Sequence, residues 1–136
     1  MKRRYVTWNI QPSLTGIGKM FSAGGDLKGF SKYGNKLNVA LKEMTVYCHA
    51  AASRFMRMDT PLVTAVNGVA AGMGMSFAIS GDMVLAAKSA SFVAAYTAAA
   101  LAPDGGMTYL LPRMIGRGVG KRDYDDQQAD HRPGSP

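Results

Sequence analysis

Between Lys36 and Met58 the apolar side chains recur at helical spacing. Val39, Met44, Val46, Tyr47, Ala50, Ala51, Phe55 and Met58 supply the apolar positions, while Lys42, Glu43, Arg54 and Arg57 are left for water. That pattern predicts one long amphipathic helix. Asp59, Thr60 and Pro61 end it, because the residue before a proline disfavours the helical region. Leu62–Val66 is a short run rich in β-branched residues between Pro61 and the Asn67-Gly68 pair, which predicts a buried strand ending in a turn. Gly72–Ser80 fits a short buried helix, Met83–Ala87 a strand, Ser91–Tyr96 another strand, and Pro103–Gly106 a turn. Thr108–Ile115 has a helical pattern that Pro112 breaks or kinks. Short strands alternating with helices predict an α/β class, and no internal repeat is visible.

The ends differ from this core. Met1–Ser13 has no clear period and contains Trp8 and Pro12, so it is a weak strand or a loose lead-in. Thr15–Gly29 is dense in glycine, as where backbone turns sharply or approaches something closely. From Arg122 onward Asp125, Asp126, Gln127, Gln128, Asp130, Pro133 and Gly134 predict a disordered end. The expected organisation is a lead-in over 1–13, a core over 14–120 and a polar tail over 121–136. A chain of 136 residues, 47% hydrophobic, suffices for one domain, and 18% charged residues with 9% aromatics argue against wholesale disorder.

A single cysteine, Cys48, excludes an internal disulfide framework and a Cys-based zinc cluster. Lys2, Arg3 and Arg4 resemble the start of a signal peptide, but Asn9, Gln11 and Pro12 follow where an apolar stretch belongs. The expected compartment is therefore the cytoplasm. The longest apolar stretches, Val69–Ile79 and Ala90–Ala102, are too short for a helical span, so no membrane partner is expected.

Sixteen Lys and Arg against nine Asp and Glu give +7, with +8 carried by residues 1–120. A basic body suits an anionic partner. The basic residues are scattered and not interleaved with aromatics, so nucleic acid is not the expected one. Gly16-Ile17-Gly18-Lys19 lacks the spacing and the Ser or Thr of a phosphate loop, and Gly72-x-Gly74 lacks the third glycine of a dinucleotide fingerprint. His49 and His131 have no partner at metal-binding spacing, so His49 counts as structural and no metal is expected.

Two glycine-rich segments carry more chemistry. In Phe21–Leu27 the pair Gly24-Gly25 leaves a backbone N–H uncovered by side chain. In Asn67–Met75 a strand and turn lead into a helix whose first N–H groups have no internal acceptor. Two such donors are the parts of an oxyanion hole. From the residues alone, two tight turns remain an equal alternative.

Phe21–Leu27, Thr60–Gly74 and Pro103–Gly116 together resemble the crotonase superfamily, the enoyl-CoA hydratase/isomerase family, over about Leu14–Gly120. The resemblance implies a spiral of ββα units that binds an acyl-CoA thioester. It places the oxyanion donors at the N–H groups of Gly25 and Met73, and substrate or CoA contacts at Ala23, Gly24, Lys28 and Gly72. It needs no separate cofactor, since CoA belongs to the substrate.

The departures are as informative. The positions of the two catalytic glutamates of the family's hydratases hold Ser76 and Tyr96, and the chain has one Glu, Glu43, outside the motifs. Hydration by two carboxylates is therefore not expected. Asp104 matches an aspartate found in ring-opening isomerases of phenylacetate breakdown and in an aryl-CoA dehalogenase of the family. One carboxylate beside an enolate-stabilising hole suffices to move a proton between carbons. The alternative is that Asp104 caps the helix after it; Asp26 and Asp82 are expected to be structural. The likeness fades at both ends, implying an incomplete spiral with apolar surface left open and hence self-association into a homo-oligomer. Two functions follow: isomerase-type proton transfer on a CoA thioester, or an inactive fragment that binds CoA weakly or only when assembled with other chains.

Overall fold

Short β-branched runs that carry apolar residues on both faces are suited to parallel sheets covered by helices, and the chain uses them in that way. The computed structural model describes residues 12–118. The lead-in through residue 11 and the tail from residue 119 lie outside the described residues, while Ser13 already belongs to the first strand. The elements run β1 (Ser13–Thr15), β2 (Met20–Ser22), α1 (Leu27–Phe30), a 3-10 segment (Ser31–Lys36), α2 (Leu37–Arg57), β3 (Val63–Val66), β4 (Val69–Ala71), α3 (Met73–Ile79), β5 (Met83–Ala86), β6 (Ser91–Val93), a second 3-10 turn (Thr97–Ala99) and α4 (Met107–Ile115).

Odd-numbered strands form one parallel sheet in the order β1-β3-β5, and even-numbered strands form another in the order β2-β4-β6. The chain therefore crosses from one sheet to the other within each strand pair, then returns through helix. Three ββα coils stack into a spiral, as the family resemblance implied.

α3 is the hub. Met75 and Ile79 pack with Ala94, Tyr96, Met107 and Leu111, while Ala78 packs with Phe21, Val66 and Ala70. Gly74 lets α3 approach β2 closely: a Cβ there would fall 2.5 Å from the Ser22 Cβ. Thr64, fully buried on β3, donates from Oγ1 to the Ala78 carbonyl at 2.7 Å and so ties strand to helix.

β3 ends at Val66 and the chain bends at Gly68 into β4, as the Asn67-Gly68 pair predicts. The Asn67 side chain also accepts from the Gly16 N–H at 3.1 Å and donates to the Gly18 carbonyl at 2.9 Å, holding the β1–β2 connection. Asp26 caps α1 by accepting from the Gly29 N–H, and Asp82 accepts from the Leu62 N–H at 2.8 Å. Both are structural, as expected. Pro112 lies inside α4 without ending it. No described helix is long and apolar enough to cross a membrane.

Candidate active site

An apolar cavity of about 220 Å³ lies where the three coils meet. α2 lines it with Leu41, Met44, Thr45 and Cys48, one helical stripe at spacings of three and four. That stripe, and not the one through Val39, Val46 and Tyr47, is the inward face; those three are exposed. The expected apolar face of the long helix was thus too wide, because a helix roofing a cavity needs only a narrow apolar contact line.

The two glycine segments meet on the opposite wall. Gly24, at φ 83°, approaches β4 so closely that a Cβ would fall 2.6 Å from the Ala71 carbonyl oxygen and 3.4 Å from the Met73 nitrogen. Gly72, at φ 51°, reverses the chain from β4 into α3, a conformation that favours glycine. The Gly25 and Met73 N–H groups have no hydrogen-bond partner among the described residues, and both residues border the cavity. Ala23 and Gly72 line it too. Gly24 lies behind the wall, and Lys28 is exposed on α1, one residue beyond the lining residue Leu27.

Asp104 comes from the third coil. It is not the cap of α4: that place falls to Gly106, with no side-chain bond, and only the Asp104 main-chain carbonyl reaches the helix, accepting from the Met107 N–H. The carboxylate instead takes two side-chain bonds. The Tyr96 hydroxyl donates to Oδ1 at 2.9 Å, and His49 Nε2 lies 2.9 Å from Oδ2. Ser76 Oγ lies 2.8 Å from the Tyr96 hydroxyl and 3.1 Å from the Asp104 carbonyl oxygen. The two positions matched to the absent glutamates therefore touch each other, Tyr96 holding the Asp104 carboxylate and Ser76 the Asp104 main-chain carbonyl.

Ser76 and Tyr96 are buried. Burial pushes the Tyr96 hydroxyl well above its ordinary value; the Ser76 bond opposes this, and the bond and negative charge of Asp104 reinforce it. Tyr96 is thus a fixed donor across the neutral range. Burial also pushes the Cys48 thiol up, with a smaller push from the Asp104 charge, so Cys48 is a poor nucleophile. Just before Tyr96, Ala95 sits at φ 42°, a left-handed conformation uncommon outside glycine, in the turn that delivers the phenol to Asp104.

His49 is the residue that sequence reasoning missed. Its partner lies 55 residues away, and nothing local distinguishes it from any histidine on a helix. Its place beside the stripe Leu41, Met44, Thr45 and Cys48 is the only available signal, and that stripe is recognisable only once the cavity is known.

A parallel two-sheet spiral with backbone donors and the Asp104 carboxylate at the meeting of its coils defines a crotonase-type fold. The enoyl-CoA hydratase/isomerase family model matches residues 13–122, and the chain belongs to that family. Over 106 residues it is 42% identical to the 1,2-epoxyphenylacetyl-CoA isomerase of Escherichia coli, covering 76% of this chain and 40% of that protein. It is 30% identical over 104 residues to 4-chlorobenzoyl coenzyme A dehalogenase-1 of an Arthrobacter species, covering 76% of this chain and 38% of the relative. Among solved structures, an enoyl-CoA hydratase from Polaromonas superposes with a TM-score of 0.75 at 32% identity, covering 81% of this chain and 43% of that one. The chain thus spans about two fifths of the length of these relatives.

Proposed function

We propose that the cavity receives the acyl thioester of coenzyme A and that the chain moves a proton between carbons of the acyl group. One observation carries this reading: two unpartnered backbone N–H groups, Gly25 and Met73, border the same apolar cavity as the Asp104 carboxylate. The N–H groups hold the thioester oxygen as negative charge develops on it, and being fixed by backbone they need no reorganisation. Asp104 takes the proton from the carbon beside the thioester and returns one further along the acyl chain, while Tyr96 holds Oδ1. Ser76 and Tyr96 stand where the family resemblance places the hydratases' glutamates, which favours proton transfer by Asp104 over the two-glutamate addition of water.

CoA arrives as part of the substrate, passing Ala23, Gly24 and Gly72, with Lys28 meeting its phosphates, and no resident cofactor takes part. The relatives named for epoxyphenylacetyl-CoA and chlorobenzoyl-CoA support a CoA thioester as the substrate class. The protein is read as cytoplasmic and self-associating, the latter supported by apolar side chains open on β5 and β6.

Calorimetric titration with a medium-chain enoyl-CoA is expected to show distinctly tighter binding than titration with free CoA. Asp104→Asn is expected to lower isomerase turnover by about 10²–10⁴-fold; undiminished turnover would refute the role given to Asp104. The short span relative to the relatives favours a second reading, a CoA-binding fragment active only when assembled with other chains. Thioester binding without turnover selects it.

A further inference from the structure

Asp104 borders two cavities, and only the first enters the function proposed above. The second, of about 440 Å³, is lined by His49, Ser53 and Arg57 of α2 together with Asp104 and Gly106. Tyr96 lines the first cavity and not the second, and His49 lines the second and not the first. The carboxylate is divided in the same way, with Oδ1 bonded to Tyr96 and Oδ2 to His49.

An ionised carboxylate can only accept hydrogen bonds. Both neighbours therefore donate to it: the Tyr96 hydroxyl to Oδ1 and an Nε2–H of His49 to Oδ2. A proton on Oδ2 can move on to the ring only once His49 gives up its Nε2–H. The Tyr96 side leads inward to Ser76, which has no solvent exposure. The His49 side leads outward, for its side chain is 50% exposed. Asp104 is itself 26% exposed and borders the second cavity, and the oxygen on that side, Oδ2, is the one bonded to His49, so the way from the carboxylate to water runs past the imidazole.

We infer that His49 relays protons between Asp104 and solvent, and so sets how often the proton returned to the acyl chain is one from water and not the substrate's own. This rests on the acyl-CoA isomerase reading. The substrate C–H bond breaks, its electron pair stays on the thioester enolate, and the proton joins the carboxyl group. The half-exposed ring exchanges its Nε2 proton for one on Nδ1 through water; the carboxyl proton then passes from Oδ2 to Nε2 while the Nδ1 proton leaves to water. The reverse passage brings a solvent proton to Asp104, and the enolate's electron pair forms the new C–H bond with it. Protons and charge balance, with water as the sole co-reactant. His49 touches no substrate and acts through Asp104, as a positioning and exchange residue.

The test is isomerisation of an unlabelled 3-enoyl-CoA in D₂O by the full 136-residue chain, with deuterium per product molecule read by mass spectrometry at low conversion. The native protein is expected to incorporate solvent deuterium in most turnovers. His49→Gln is expected to return the substrate's own proton, lowering deuterium per turnover by about tenfold while turnover persists. His49→Ala is expected to regain exchange when free imidazole is added, a rescue that a merely structural role would not show. Equal deuterium content in native and His49→Gln product overturns the relay and leaves the isomerase reading standing. Absence of turnover by the native chain with every thioester tried overturns both.

Discussion

At Gly24 the chain has room for a hydrogen and nothing larger. An added Cβ would meet the Ala71 carbonyl oxygen at 2.6 Å, on a backbone already at φ 83°. Gly24→Ala is expected to cost about 1–3 kcal/mol in urea denaturation and to weaken thioester binding, because Gly25 and Met73 flank the same close approach. A variant as stable as the native chain would mean that β2 and β4 do not need to lie so close. The two glycine segments were visible as local signals, whereas Gly25, Met73 and Asp104 were singled out through the family resemblance; all three border the cavity. His49 was not legible, and neither was the choice between cap and site for Asp104. Where a carboxylate points is decided by residues such as Tyr96 and Ser76, which reach it through tertiary structure.

Among the elements, legibility followed length. The long helix expected over Lys36–Met58 runs Leu37–Arg57, and the helix expected over Gly72–Ser80 runs Met73–Ile79. The strands expected over Leu62–Val66 and Met83–Ala87 are β3 and β5, each within a residue or so at either end. β1 and β2 were missed, β4 was read only within the strand and turn of Asn67–Met75, and the strand expected over Ser91–Tyr96 stops at Val93. β1, β2 and β4 each have three residues, too few for a period, and each exists only because a parallel neighbour from another coil completes its hydrogen bonds. α3 crosses β2 at close range. Gly74→Ala would force its Cβ into Ser22 and is expected to cost about 1–3 kcal/mol, measured as a fall in the urea midpoint with an unchanged slope. No loss of stability would show that α3 can lift off β2 without penalty.

For the whole molecule, the repeat is in the structure and not in the sequence. The three coils share a ββα path, but their helical segments differ so much in length, from α2 to α3, that no residue period survives. The candidate site draws on all three: Gly25 and His49 come from the first coil, Met73 and Ser76 from the second, Tyr96 and Asp104 from the third. Tyr96 also couples the site to stability. Its hydroxyl is raised above its ordinary value of about 10 in the folded state, so its contribution is fully present below pH 10 and is lost as pH rises toward the folded value. The native chain is expected to lose about 1.4 kcal/mol per pH unit from this group above pH 10, and Tyr96→Phe to lack that slope. Chemical denaturation at several alkaline pH values checks the difference; identical slopes would mean that Tyr96 ionises freely in the folded chain.

The two sheets close over unequal distances along the chain. β3 meets β5 across about 20 residues and β1 meets β3 across about 50. The second and third coils, joined through α3, form the shorter closure and are the natural place for folding to begin, with the first coil laid on afterwards. The last segment to lock is then the one that carries Gly25 and His49. A partly folded chain would already hold Asp104, Tyr96 and Met73 together, yet it would lack one of the two donors proposed for the thioester oxygen and the proposed relay at His49. Affinity for the thioester would therefore report on completion of the entire spiral, and a ligand able to bridge the first and second coils would act as the clasp that keeps it wound.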